Sequence, residues 1–201
     1  MSGAVEIMRA SIFLCTVALL VAPTGSAQAT STNACPLSQV LASRAKIQES
    51  AATFTQERRI RYVRDPLFSA GRLRFVAPNH LEMIVDKPQA ESFVYEDGVL
   101  TLETAEQAER QISVDSDLIL SAMFTGLVGT LSGNEDELRR TFFVDFSDDH
   151  CQWQMTLLPK SKRVLEKIRE IDLSGSKEHI EKAEILQANG DRSILSISEQ
   201  Q

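Results

Sequence analysis

Residues 72–102 read RLRFVAPNHLEMIVDKPQAESFVYEDGVLTL. The side chains alternate in steps of two, the period of a strand that buries one face. Leu73 and Phe75 alternate with Arg72 and Arg74. Pro78 and Asn79 turn the chain, and Leu81, Met83 and Val85 then alternate with Glu82, Ile84 and Asp86. Pro88 ends that strand and Phe93 opens the next. Asp97-Gly98 is a strong hairpin signal, after which residues 99–102 return. The turns are too short for helical crossovers, so the neighbouring strands are antiparallel.

The same rhythm extends in both directions. Residues 54–63 are β-like and carry Arg58, Arg59 and Arg61. Residues 36–52 predict an amphipathic helix, with Pro36 at its first position and Leu37, Val40, Leu41, Ile47 and Ala51 at three- and four-residue spacing. Polar residues 103–109 predict an exposed loop before a short strand at 110–114. Residues 139–147 and 151–158 predict strands around an Asp148-Asp149-His150 turn, and residues 168–173 another. Residues 180–188 and 191–198 pair around Asn189-Gly190. About ten antiparallel strands with two principal helices make a mainly β (α+β) protein. A sheet of that many strands must curl into a barrel or half-barrel with an apolar concave face.

Residues 116–131 differ from their surroundings. Ser116 and Asp117 can cap a helix, and apolar residues then cover more than half of its circumference. Gly126 and Gly129 weaken it, each by about 1 kcal/mol relative to alanine. It is either a plain core helix or a movable plug over an apolar cavity.

The whole chain has 201 residues, 43% of them hydrophobic and 24% charged, which suits one soluble domain or two small ones. That balance excludes a polytopic membrane protein and a wholly disordered chain. A net charge of -7 argues against a nucleic-acid partner, which needs a concentrated basic footprint. Residues 1–29 read as a secretory signal: Arg9, the apolar run SIFLCTVALLVA at 11–22, the breakers Pro23 and Gly25, and small residues at Ala27 and Ala29. The alternative is a membrane anchor, but the run is about half of the roughly 20 residues a spanning helix needs. Glu6 offsets Arg9, and initiation at Met8 would remove that blemish. Lipidation at Cys35 is disfavoured, because Thr32-Asn33-Ala34 lacks the apolar residue expected three positions before it. Cleavage near Ala29 leaves residues 30–201 as one exported domain. It removes Cys15 and leaves Cys35 and Cys151, which in an exported protein form a disulfide or, as the alternative, include a redox or nucleophilic thiol.

Chemistry is sparse. No nucleophile elbow, phosphate-binding loop, dinucleotide fingerprint or metalloprotease motif is present, so no catalytic residue, metal or cofactor is expected. His80, His150 and His179 stand beside predicted turns. The cluster of Arg58, Arg59, Arg61 and Arg64 is either a charged edge strand that resists aggregation or a basic rim meeting anionic headgroups or an acidic partner.

Residues 54–98 resemble the periplasmic lipoprotein carrier family LolA. The likeness rests on Phe54-Thr55-Gln56 after the first helix, Ser69-Ala70-Gly71 with Leu73 and Phe75, and Pro78-Asn79. The alternation through Met83, then Pro88, Ser92 and Asp97-Gly98, completes it. Residues 99–201 share only strand rhythm. The resemblance implies a curved antiparallel sheet forming an open half-barrel, with helices covering its concave face and acyl chains held in the cavity. It also implies an inner-membrane release complex and an outer-membrane receptor as partners. In the family a basic residue, usually arginine, precedes the first proline and ties the closed lid to the sheet. Here that position is Ala77, and the aromatics that follow correspond to Leu81 and Met83. This points to a divergent paralogue, of a kind expected beside lipid or polyene export systems.

A hydrocarbon chain in water costs about 0.8 kcal/mol per exposed CH₂, so a carrier needs a concave apolar shelter. Leu73, Phe75, Leu81, Met83, Val85, Phe93, Leu100 and Leu102 are candidates for its wall, extended by Met155 and Leu157. Met123, Phe124 and Leu127 would fill it when cargo is absent. The same residues could equally form an ordinary core. Three functions follow: a monomeric carrier of a lipoprotein or another acylated lipid; an export-system adaptor that binds through Arg58, Arg59 and Arg61 without cargo; and a lipid-directed enzyme, for which no polar constellation is visible.

Overall fold

A computed structural model describes residues 34–105 and 107–199. The expected signal at 1–29 lies outside the described residues. Helix α1 (Leu37–Arg44) leads into strands β1 (Glu49–Arg59), β2 (Leu67–Val76), β3 (His80–Lys87), β4 (Glu91–Glu96), β5 (Val99–Thr104) and β6 (Gln107–Ser113). A 3-10 turn (Val114–Ser116), α2 (Leu118–Leu131) and α3 (Glu135–Thr141) follow. The chain then forms β7 (Phe142–Asp149), β8 (Gln152–Pro159), the single-turn α4 (Lys162–Leu165), β9 (Ile168–Ser176), β10 (His179–Gln187) and β11 (Arg192–Glu199).

Among the described residues the eleven strands make one sheet in the order β6-β5-β4-β3-β2-β1-β11-β10-β9-β8-β7. Every pair is antiparallel, and the outer strands β6 and β7 do not pair, so the sheet stays open. One meander runs outward from the centre through β1–β6, and a second returns through β7–β11. The link from β6 to β7 must therefore cross the whole width of the sheet. It does so over one face, and it carries α2 and α3. Asp117 starts α2 by accepting from the Ile119 and Leu120 N–H groups at 2.8 and 3.1 Å.

The disulfide joins Cys35, at the entry to α1, to Cys151 in the β7–β8 turn, with the Cα atoms 4.9 Å apart. The Cys35 N–H also donates to Asp148 Oδ2 at 2.8 Å.

Four expectations are corrected. The first helix ends at Arg44 rather than at residue 52. Residues 49–55 alternate as well as they repeat, and as a strand Ala52 and Phe54 are buried with partners on both sides, Ala51 being left exposed. Arg58 and Arg59 are not on an edge: β1 is the central strand, and the edges are β6 and β7. The loop expected over 103–109 shrinks because β6 begins at Gln107. Residues 139–141 end a helix rather than begin a strand. Asn134 caps α3 by accepting from the Glu137 N–H at 3.1 Å, and Arg139 and Arg140 bind Glu135 and Glu137 one turn back at 2.7 and 2.6 Å.

Candidate functional site: the helix-covered concave face

Strand register decides which side chains share a face. Leu73 stands opposite Met83, Met83 opposite Phe93, and Phe93 opposite Leu102. The next rung runs Phe75, Leu81, Tyr95 and Leu100. On the other half Met155 faces Leu173, and Leu157 faces Ile171. The expected wall residues therefore lie on one face. Phe75, Leu81, Val85, Met155 and Leu157 are buried in a common cluster, with Leu73, Met83 and Phe93 half-buried against it. Leu100 and Leu102 share the face by register but lie outside that cluster.

Met123, Phe124 and Leu127 of α2 pack on the same cluster. The Phe124 ring stacks on Tyr95, centroids 4.3 Å apart and planes within 12°. Gly126 and Gly129 have a packing role that their low helix propensity does not suggest. A Cβ at Gly126 would lie 3.2 Å from Leu157 Cδ1, and one at Gly129 would lie 3.0 Å from Leu138 Cδ2. The glycines let α2 approach the sheet and α3 closely.

The recess left between sheet and helix is about 30 Å³, room for a water molecule or two. Of the thirteen wall and plug candidates, Leu73, Phe75, Leu81 and Leu127 line it. Ala52, Leu131, Ile180, Leu195 and Ile197 complete its apolar surface.

Its polar end belongs to Arg44, which the sequence reading did not single out. The side chain is 2% exposed. Its Nε donates to the Leu131 carbonyl at the end of α2 (3.1 Å), and one terminal nitrogen donates to Ser50 Oγ of β1 (2.9 Å). The other terminal nitrogen binds Glu199 Oε1 of β11 (3.2 Å) and reaches the Glu178 carbonyl (3.5 Å). Arg44 thus joins α1, α2 and two strands. Burial pushes its pKa down, against the upward pull of Glu199. His179 Nδ1 meets the second Glu199 oxygen at 2.5 Å. The signal was present in the sequence: Arg44 occupies a position of the apolar stripe of α1, after Leu37, Val40 and Leu41. Glu199 likewise continues the alternation of Leu195 and Ile197. Ala77 packs against the apolar cluster.

At the other end of β1 a polar row crosses the face. Ser69 Oγ donates to Gln56 Oε1 (3.1 Å), and Gln56 Nε2 donates to Ser193 Oγ (2.9 Å). Beyond it Arg58, Arg59 and Arg61 are exposed. Arg59 is paired with Glu57 at 2.5 Å. Among the described residues no group of three or more His, Cys, Asp or Glu could hold a metal ion.

The architecture is that of an open antiparallel half-barrel whose apolar inner face is closed by a helix. A family model described as outer membrane lipoprotein carrier protein LolA-like matches residues 29–197, and the chain belongs to that family. Solved structures are similar at low identity. A LolA superfamily protein from Nitrosomonas europaea is 9% identical over 82% of this chain and 92% of its own, with a TM-score of 0.41. A DUF1329 family protein from Desulfovibrio piger is 12% identical over 81% of this chain and 88% of its own, with a TM-score of 0.42. The complex of MucA and MucB from Pseudomonas aeruginosa is matched at 10% identity over 81% of this chain and 56% of the other, with a TM-score of 0.43. No match is found among curated proteins.

Proposed function

We propose that residues 30–201 form a monomeric periplasmic carrier, released from its signal peptide near Ala29. It shelters the acyl chains of a lipoprotein or a related acylated lipid during transfer from the inner to the outer membrane. It acts by binding, and it exchanges cargo with an inner-membrane release complex and an outer-membrane receptor. Membership of the LolA-like family supports this reading. The observation that carries it is the apolar carpet across many strands, closed by a helix that is itself apolar on most sides. Transfer of a sixteen-carbon chain from water to such a wall is worth roughly 12 kcal/mol.

In the closed arrangement α2 occupies the place of cargo. A ligand pocket is typically on the order of ten times larger than the present recess, so loading requires α2 to move away from the sheet. Leu73, Phe75 and Leu81 then become the first wall surface exposed. Mass spectrometry of organic extracts from protein purified from the periplasm tests the proposal, together with uptake of a fluorescent fatty acid. Bound lipid and saturable uptake are expected. Neither being found would remove the carrier reading.

The filled interior favours a second reading, an adaptor that carries no cargo and binds an exporter through Arg58, Arg59 and Arg61. That reading predicts loss of partner binding on reversing those charges, with no lipid in the extracts.

A further inference from the structure

The turn between β1 and β2 carries an unusual surface. Tyr62 is 89% exposed and Phe68 64%, with Val63 and Leu67 near half. These four apolar side chains fall within seven residues. Arg58, Arg59 and Arg61 directly precede them and Arg64 lies among them, all exposed; Asp65 is the one acid within 58–68, and Arg59 is paired with Glu57. Four cations in seven positions stand out in a chain of net charge -7. The turn is built in advance. The Val63 N–H bonds the Ile60 carbonyl at 2.9 Å, and the Arg61 N–H donates to Asp191 Oδ1 of the neighbouring β10–β11 turn at 2.9 Å. The Arg61 guanidinium reaches the Asn189 carbonyl at 3.4 Å and lies 5.4 Å from the Tyr62 ring centroid.

Exposed aromatic and aliphatic groups on a hydrogen-bonded turn cost free energy in water, and the neighbouring guanidinium groups bring opposite charge to phosphates. Tyrosine and phenylalanine beside arginine match the layered polarity of a bilayer interface, with the rings at headgroup depth and the cations on phosphate. We propose that residues 58–68 are a membrane-docking tip that seats the protein on a bilayer rich in anionic phospholipid. The tip lies beyond the polar row of Gln56, Ser69 and Ser193. Docking there does not depend on what the concave face carries.

The test is co-sedimentation of the mature protein with phosphatidylglycerol-containing vesicles and with neutral phosphatidylcholine vesicles. A Tyr62→Trp variant adds a fluorescence readout of insertion, with the buried Trp153 as constant background. Wild-type protein is expected to sediment with the anionic vesicles only, and the emission of the introduced indole to shift to the blue. The variants Tyr62→Ser/Phe68→Ser and Arg61→Glu/Arg64→Glu should each lower partitioning by about tenfold or more. Phe124→Asp, which alters the plug and not the tip, should still sediment. That separates failure of docking from failure of the carrier reading. No sedimentation of wild type would overturn the proposal. So would equal binding to neutral vesicles, or a loss limited to the charge-reversed variant. Binding only to vesicles that carry native membrane proteins would assign the tip to a protein partner instead, and would overturn it too.

Discussion

Replacing Arg44 with methionine keeps an unbranched apolar stem, two atoms shorter, and removes every polar bond the guanidinium makes. The Leu131 carbonyl, Ser50 Oγ and Glu199 Oε1 each lose a donor. Breaking a buried ion pair costs about 3–5 kcal/mol, because the surviving charge is left without its partner. Glu199 is 20% exposed and still meets His179, which places the cost at the lower end, about 3 kcal/mol. In a domain of this size that is a fall in Tm of about 6–12 °C. The loss is not spread evenly, since Arg44 is the polar tie between the end of α2 and the central strands. Hydrogen exchange over residues 118–131 should therefore accelerate more than exchange in β1 or β11. Adding Glu199→Gln to Arg44→Met removes the stranded charge and should restore part of the stability, which a double-mutant cycle reads as coupling. A Tm within about 2 °C of wild type, with α2 protection unchanged, would refute the assignment of Arg44 as the tie.

Other perturbations probe the plug and its supports. Phe124→Asp places a charge in an apolar site and removes the stack on Tyr95; retention of a fluorescent fatty acid should fall to background while circular dichroism is unchanged. Retention equal to wild type in that folded variant would remove the plug role. Burial, aided by Asp115, raises the Tyr95 pKa. The unfolded chain therefore ionises first: stability is intact below about pH 10 and falls as pH rises through the folded value. In a Tyr62→Phe background, ultraviolet titration of the remaining tyrosine should show a midpoint above the ordinary value, and an ordinary midpoint would contradict its burial. Cys35 and Cys151 close a loop with a sequence separation of 116, so reduction should cost up to about 4–5 kcal/mol in urea unfolding. Equal stability of oxidised and reduced protein would show that the crosslink does not restrain the unfolded chain.

Much of the sheet was readable from periodicity, because a strand with one buried face writes its register into alternate side chains. Residues 72–102, the Asn189-Gly190 hairpin and the apolar helix all follow from local rules. Two of the misreadings share a cause. Residues 49–55 satisfy a helical and a strand pattern equally, and only partners on both sides of β1 select the strand. The charges on Arg58 and Arg59 look like edge protection until β11 closes against β1. The capping and ion-pair signals of α3 were local and could have been read.

Sequence by itself determined the number and direction of most strands and the apolar character of α2. These depend on residues near one another in the chain. Tertiary structure decided that β1 lies at the centre, that the β6–β7 link crosses the concave face, and that Arg44 and Glu199 meet, although 155 positions separate them. A buried charge depends on what surrounds it in three dimensions, and no periodicity along the chain encodes which distant carboxylate will be there.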